Sequence, residues 1–176
     1  MDKYLIEQIK KMKGVTLGVG IDNEKIKEAI QNNNDIQICY LLEESKSLLN
    51  KKKMKIFNNN KTINIKKIRK TFKKKRINNL ICNYKTIKPF LKTFVRDSVY
   101  INKNSLYIYG TNEEHEEIVK RYKRYTTNIK TEKNKENFLI FVNNENSKNN
   151  KIKDIGYWWK DTFSNIADIL TQILVN

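Results

Sequence analysis

Short apolar runs alternate with polar, helix-forming stretches along this chain, and that alternation sets its elements. Tyr4, Leu5, Ile9 and Met12 fall close to one helical stripe, which predicts a lead-in helix over 3–12. Gly14 opens a compact apolar run through Val19 that reads as a buried strand. Ile26 and Ile30, four apart in a polar stretch, predict a helix over 23–31 that stops at Asn32-Asn33-Asn34-Asp35. Ile36 to Leu42 is a second strand ended by Glu43 and Glu44, followed by a short helix or loop over 45–53. A third strand is expected over 53–57. Ile65, Ile68 and Phe72 then stand on one face of a basic amphipathic helix over 62–75.

The second half repeats the alternation. Asn79 to Asn83 is short and apolar, as a central parallel strand is, and a helix over 84–97 follows with Pro89 in its first turns. Residues 99–101 and 105–109 flank Asn102-Lys103-Asn104 and read as a fifth strand with a turn, or a hairpin. The stretch 112–125 begins with four glutamates and ends with lysines and arginines, the charge order that a helix dipole favours. Residues 126–131 and 138–142 complete the sheet as an antiparallel pair.

These elements make one α/β domain over 1–142, a Rossmann-like, mostly parallel sheet with a C-terminal antiparallel strand pair. A polar linker over 143–151 leads to a terminal amphipathic helix over 152–176. Its stripe of Ile152, Ile155, Trp159, Phe163, Ile166, Leu170 and Ile173 must be covered. The expected cover is the chain's own sheet, a second copy or protein partner, or a membrane surface. Aspartates off that stripe argue against the membrane, where lysine and arginine are usual.

Charge changes the picture in one place. The chain carries 36 Lys and Arg against 19 Asp and Glu, and residues 51–76 hold eleven lysines and two arginines without an acid. That run is a solvated basic face, a nucleic-acid contact through phosphates, or an anionic-membrane contact. The nucleic-acid reading names Lys66, Lys67, Arg69, Lys70, Lys73, Lys74, Lys75 and Arg76. Cys39 and Cys82 lie in apolar runs and read as buried free thiols of a reducing compartment. His115 is the lone histidine, so no metal site can be built around it, and no Ser-His-Asp set or phosphate-loop pattern is present. The N-terminus lacks the apolar core of a signal peptide and no apolar run is long enough to span a bilayer, so the expected compartment is the cytoplasm.

The candidate chemistry sits where the first strand meets Gly18-Val19-Gly20-Ile21-Asp22. Strand, glycines, then helix is the opening of a nucleotide-binding βα unit, because glycine lets a ligand approach the backbone. Together with the strand order, these residues make the chain resemble the class I S-adenosylmethionine-dependent methyltransferases over roughly 14–142. Gly18 and Gly20 match the first two glycines of that family's loop, whereas Thr16 replaces its acid and Asp22 its third glycine. The resemblance implies cofactor contacts at Gly18, Gly20, Asp22 and Glu43, the last holding ribose hydroxyls. It implies substrate contacts at Asn83 and Tyr84, although the prolines that follow this Asn in base methyltransferases are missing. Two functions result: an S-adenosylmethionine-binding methyltransferase-like protein acting on nucleic acid, or a non-catalytic basic scaffold without cofactor that contacts nucleic acid or a protein.

Overall fold

Strand β1 (Gly14–Val19) lies inside the sheet, in parallel register with β2 (Ile36–Glu43) on one side and β4 (Ile77–Asn83) on the other. The computed structural model describes residues 2–43, 54–58, 68–72, 74, 76–111, 115–133 and 137–143. Among them β3 (Met54–Asn58), β5 (Asn102–Thr111), β6 (Ile129–Lys133) and β7 (Asn137–Asn143) complete a seven-stranded sheet of order β3-β2-β1-β4-β5-β7-β6. Only β7 runs against the rest, pairing antiparallel with both β5 and β6. The expected linker and terminal helix, the 45–53 segment and most of the basic run lie outside the described residues.

Both faces are covered, which explains why the central strands read as continuous apolar runs rather than as alternating ones. On one face α1 (Asp2–Lys11) and α2 (Glu24–Asn32) set Leu5, Ile9, Met12, Ile26 and Ile30 against Ile81, Tyr107, Tyr109 and Leu139. On the other, α3 (Ile68–Thr71), α4 (Tyr84–Ile87), α5 (Leu91–Ile101) and α6 (His115–Tyr122) cover Leu17, Val19, Leu80, Cys82, Leu106, Ile108 and Ile140. Asn23 caps α2 by accepting from Lys25 N and Ile26 N at 3.0 and 3.3 Å. Both cysteines are buried and free, and burial pushes the Cys82 thiol up.

Four element expectations need correction. Residues 99–101 are the last turn of α5, and β5 is one uninterrupted strand rather than a hairpin. Val99 and Ile101 are both buried there, while the Asn102 amide bridges Asn78 O and Ser105 O at 3.2 and 2.8 Å and fixes the helix-to-strand turn. The helix over 84–97 is broken: Pro89 sits in a 3₁₀ turn (Lys88–Phe90) between α4 and α5, because proline cannot donate to the preceding turn. The basic helix ends at Thr71, where buried Phe72 packs on Tyr40 with ring centres 5.2 Å apart, and does not reach Lys75. The strand expected from Thr126 begins at Ile129, since Thr126 Oγ1 accepts from Asn128 N at 3.2 Å in a turn.

Candidate functional site at the C-terminal edge of the sheet

The strand order reverses between β1 and β4, and a ligand crevice belongs outside the carboxyl ends of strands at such a point. The loop after β1 supplies Gly20 and Asp22, and β4 ends at Asn83. Gly18 lies within β1, between Leu41 of β2 and Ile81 of β4, so only Gly20 belongs to the loop. Gly20 has φ +60°, and a Cβ there would land on Thr86 Oγ1 of α4. Glycine is required at this point by conformation and by the close approach of α4. Gly20 N also donates to Leu42 O at 2.8 Å, which ties the loop to the residue before Glu43, the last residue of β2.

Asp22 is exposed, and Tyr109 of β5 donates its hydroxyl to Asp22 Oδ1 at 3.3 Å. Burial, then the Asp22 carboxylate, raises the Tyr109 phenol well above its ordinary range, so it remains a donor. Tyr109 is the register partner of Asn83, and the two side chains share a sheet face. Sequence reasoning missed Tyr109. The available signal was the alternation of Tyr107 and Tyr109 in the strand beside Asn83, which puts both on one face.

Asn83 is 7% exposed. Its Oδ1 accepts from Lys85 N at 3.0 Å and caps α4, while Nδ2 is left without a partner among the described residues. A buried amide N–H without a partner is costly, and a bound group at the crevice would satisfy it. Tyr84, in contrast, is 5% exposed and packs edge-on against Phe138 with ring centres 5.7 Å apart, its Cβ within 2.7 Å of where a Cβ on Gly110 would stand. Thr16, at the position of the family's acid, is buried and receives the Asn79 amide at 3.3 Å. Asn79 also donates to Lys13 O at 3.0 Å, so this polar pair fastens β1 to β4.

The structure therefore gathers Gly20, Asp22, Asn83 and Tyr109 at one edge, with the end of β2 alongside, and leaves Gly18 and Tyr84 in the packed interior. Of the basic residues, Arg69 lies over the Tyr100 ring at 4.9 Å, and Lys74 and Arg76 are exposed before β4. The Lys70 backbone belongs to α3, whereas Lys66, Lys67, Lys73 and Lys75 lie outside the described residues. Among the described residues no group of three or more potential ligands could hold a metal, and no helix is long and apolar enough to cross a membrane.

No family model matches the sequence, and no curated protein matches it by sequence. Solved structures do match the fold. Human methyltransferase-like protein 13 in complex with SAH superposes with a TM-score of 0.60 at 9% identity, over 80% of this chain and 78% of that one. A precorrin 8w decarboxylase from Methanobacterium thermoautotrophicum also gives 0.60 at 9% identity, over 80% and 88%. A putative RNA methyltransferase from Pyrococcus horikoshii gives 0.54 at 14% identity, over 84% and 83%. The chain has the class I methyltransferase fold. At such identities the likeness concerns the fold alone.

Proposed function

We propose that this chain is an S-adenosylmethionine-binding, methyltransferase-like protein whose cofactor lies across the ends of β1, β2 and β4. The observation that carries the reading is the buried Asn83 Nδ2, without a partner among the described residues, at the strand-order reversal beside Tyr109, whose hydroxyl donates to Asp22. Among the described residues this set carries a carboxylate and no arginine or lysine, so it suits a ligand with ammonium and sulfonium charges better than one with phosphates.

When bound, the cofactor supplies a methyl group made electrophilic by its sulfonium. The chain's own residues do the holding. Asp22 offers its carboxylate to a cationic group, with Tyr109 orienting it through one oxygen. Glu43 ends β2 where the resemblance places the acid that takes ribose hydroxyls. Gly20 lets the chain turn at positive φ and lets Thr86 of α4 pack against the loop that carries Asp22. Asn83 contributes a fixed N–H donor at the acceptor side.

A thermal-shift series tests the reading. Ligand at a hundredfold excess over its dissociation constant stabilises by about 2.7 kcal/mol, roughly 5–10 °C for a chain of this size. S-adenosylhomocysteine should produce such a rise and adenosine 5′-monophosphate should not. Equal shifts from both would replace this reading with a general nucleotide site.

A further inference from the structure

The opposite edge of the sheet has a different character. Register puts the start of β1 level with the start of β2 (Gly14 with Ile36), the start of β4 level with that of β5 (Ile77 with Asn102), and Ser105 level with the end of β7 at Asn143. The segments entering or leaving this N-terminal edge carry Lys10, Lys11 and Lys13 before β1, and Lys74 and Arg76 before β4. Lys103 is the second residue of β5, and Lys123 and Arg124 follow α6 on the way to β6. All eight are exposed. The acid among them is Asp35, which Lys13 approaches at 3.7 Å. No carboxylate among the described residues makes an ion pair with Lys74, Arg76, Lys103, Lys123 or Arg124.

Why the cations collect here follows partly from the fold. In a parallel sheet, helix C-termini arrive at the edge where strands begin, and their dipoles favour positive charge. That effect accounts for one or two cations per helix end. It does not account for Lys103, which is in a strand, or for the loop residues Lys74 and Arg76. Arg76, the final residue of the basic run, directly precedes β4 on this side.

From this convergence we propose that the N-terminal edge of the sheet is a docking surface for the phosphate backbone of nucleic acid, separate from the cofactor crevice. From β1 to β6 the edge spans four strand spacings, about 19 Å, and so meets several successive phosphates. Its exposed groups are long cations and amides such as Asn32, Asn34 and Asn128. Phosphate contacts of this kind hold a nucleic acid without reading its bases. A membrane surface would ask for exposed large apolar anchors beside the cations, and among the described residues of this edge the large apolar side chains are buried or half-buried.

The placement has a functional consequence. Residues 77–83 of β4 separate Arg76 from Asn83, a rise of roughly 20 Å. The phosphates held on this edge do not themselves lie in the crevice, so the edge is a tether and not the acceptor site. The inference is independent of cofactor binding.

Fluorescence anisotropy of a labelled single-stranded RNA 20-mer with the full chain, from low to physiological salt, tests it. The edge variant combines Lys74→Gln, Arg76→Gln, Lys103→Gln, Lys123→Gln and Arg124→Gln; the control combines Lys85→Gln, Lys88→Gln and Lys133→Gln, which are exposed at or beyond the C-terminal ends of β4 and β6. Wild type should bind with a steep salt dependence, and the edge variant should lose about 0.7 in log–log slope for each phosphate contact removed. The control should keep the wild-type slope. A single Lys103→Gln variant, read the same way, covers the case in which the fivefold variant does not fold. Absence of RNA binding at low salt, or an equal loss in the control, would overturn the proposal. Binding of phosphatidylserine vesicles that the edge variant abolishes, with RNA binding unchanged, would overturn it in favour of a membrane.

Discussion

The Tyr109 hydroxyl rests on the Asp22 carboxylate at 3.3 Å, joining the end of β5 to the loop after β1 across the point where strand order reverses. A hydrogen bond to an ionised group contributes more than a neutral one, about 1.5–3 kcal/mol, although the exposure of Asp22 lowers that figure. Tyr109→Phe should therefore cost little stability but leave Asp22 unoriented. The expected outcome is a several-fold weaker affinity for S-adenosylhomocysteine with a melting temperature close to wild type. An unchanged affinity would remove Tyr109 from the site.

Buried tyrosines make alkaline stability a second test. Burial raises Tyr107 to about 12 and pushes Tyr109, Tyr122 and Tyr125 upward as well. In the unfolded chain these groups ionise near 10, while in the folded chain they keep their protons to higher pH. Above about pH 10 the folded state therefore holds more protons, and stability falls as pH rises, by up to ~1.4 kcal/mol per pH unit for each such tyrosine. Urea unfolding at pH 8 to 11 should show this decline, and Tyr107→Phe should make it shallower by one proton.

Tyr122 and Ser98 share a buried 2.7 Å hydrogen bond that links α6 to α5. Ser98 Oγ donates to Val95 O at 2.8 Å, which leaves Tyr122 as the donor between the two hydroxyls. Tyr122→Phe should cost about 1 kcal/mol, with the denaturant slope unchanged. A loss above about 3 kcal/mol would mean that the hydroxyl supports more than this pair.

Gly20 and Thr86 should be energetically coupled. Gly20→Ala forces a side chain into a positive-φ position and against Thr86, so a loss of roughly 1–3 kcal/mol is expected. Thr86→Ala removes Oγ1 and Cγ2 but retains Cβ, so the double variant should recover only part of that loss. Strict additivity in thermal melts would show that backbone conformation alone sets the cost.

How much of this could be read from the chain depended on how local the cause was. Strand β1 was legible to the residue, because an uninterrupted apolar run bounded by Gly14 leaves a buried parallel strand little freedom. The end of α5 was not. Val99, Tyr100 and Ile101 have strand-like side chains, and it is their packing with the Asn102 bridge that keeps them helical. At the site, Asp22 and Asn83 were legible as loop and strand-end polar residues. Tyr109 was not: the alternation of Tyr107 and Tyr109 gives their shared face, but its place beside Asn83 comes from the β4–β5 register, a long-range relationship. The buried placement of Tyr84 was hidden for the same reason: Gly110 and Phe138 come to it from β5 and β7.

The central claim is that the crevice at the ends of β1, β2 and β4 takes S-adenosylmethionine. Calorimetric titration of the full chain with S-adenosylmethionine and S-adenosylhomocysteine addresses it directly, with Asp22→Ala as the comparison. One-to-one binding of both ligands, weakened by Asp22→Ala more for the sulfonium form than for its demethylated product, is the predicted result. No heat of binding from either ligand at millimolar concentration, with the chain folded, would contradict it.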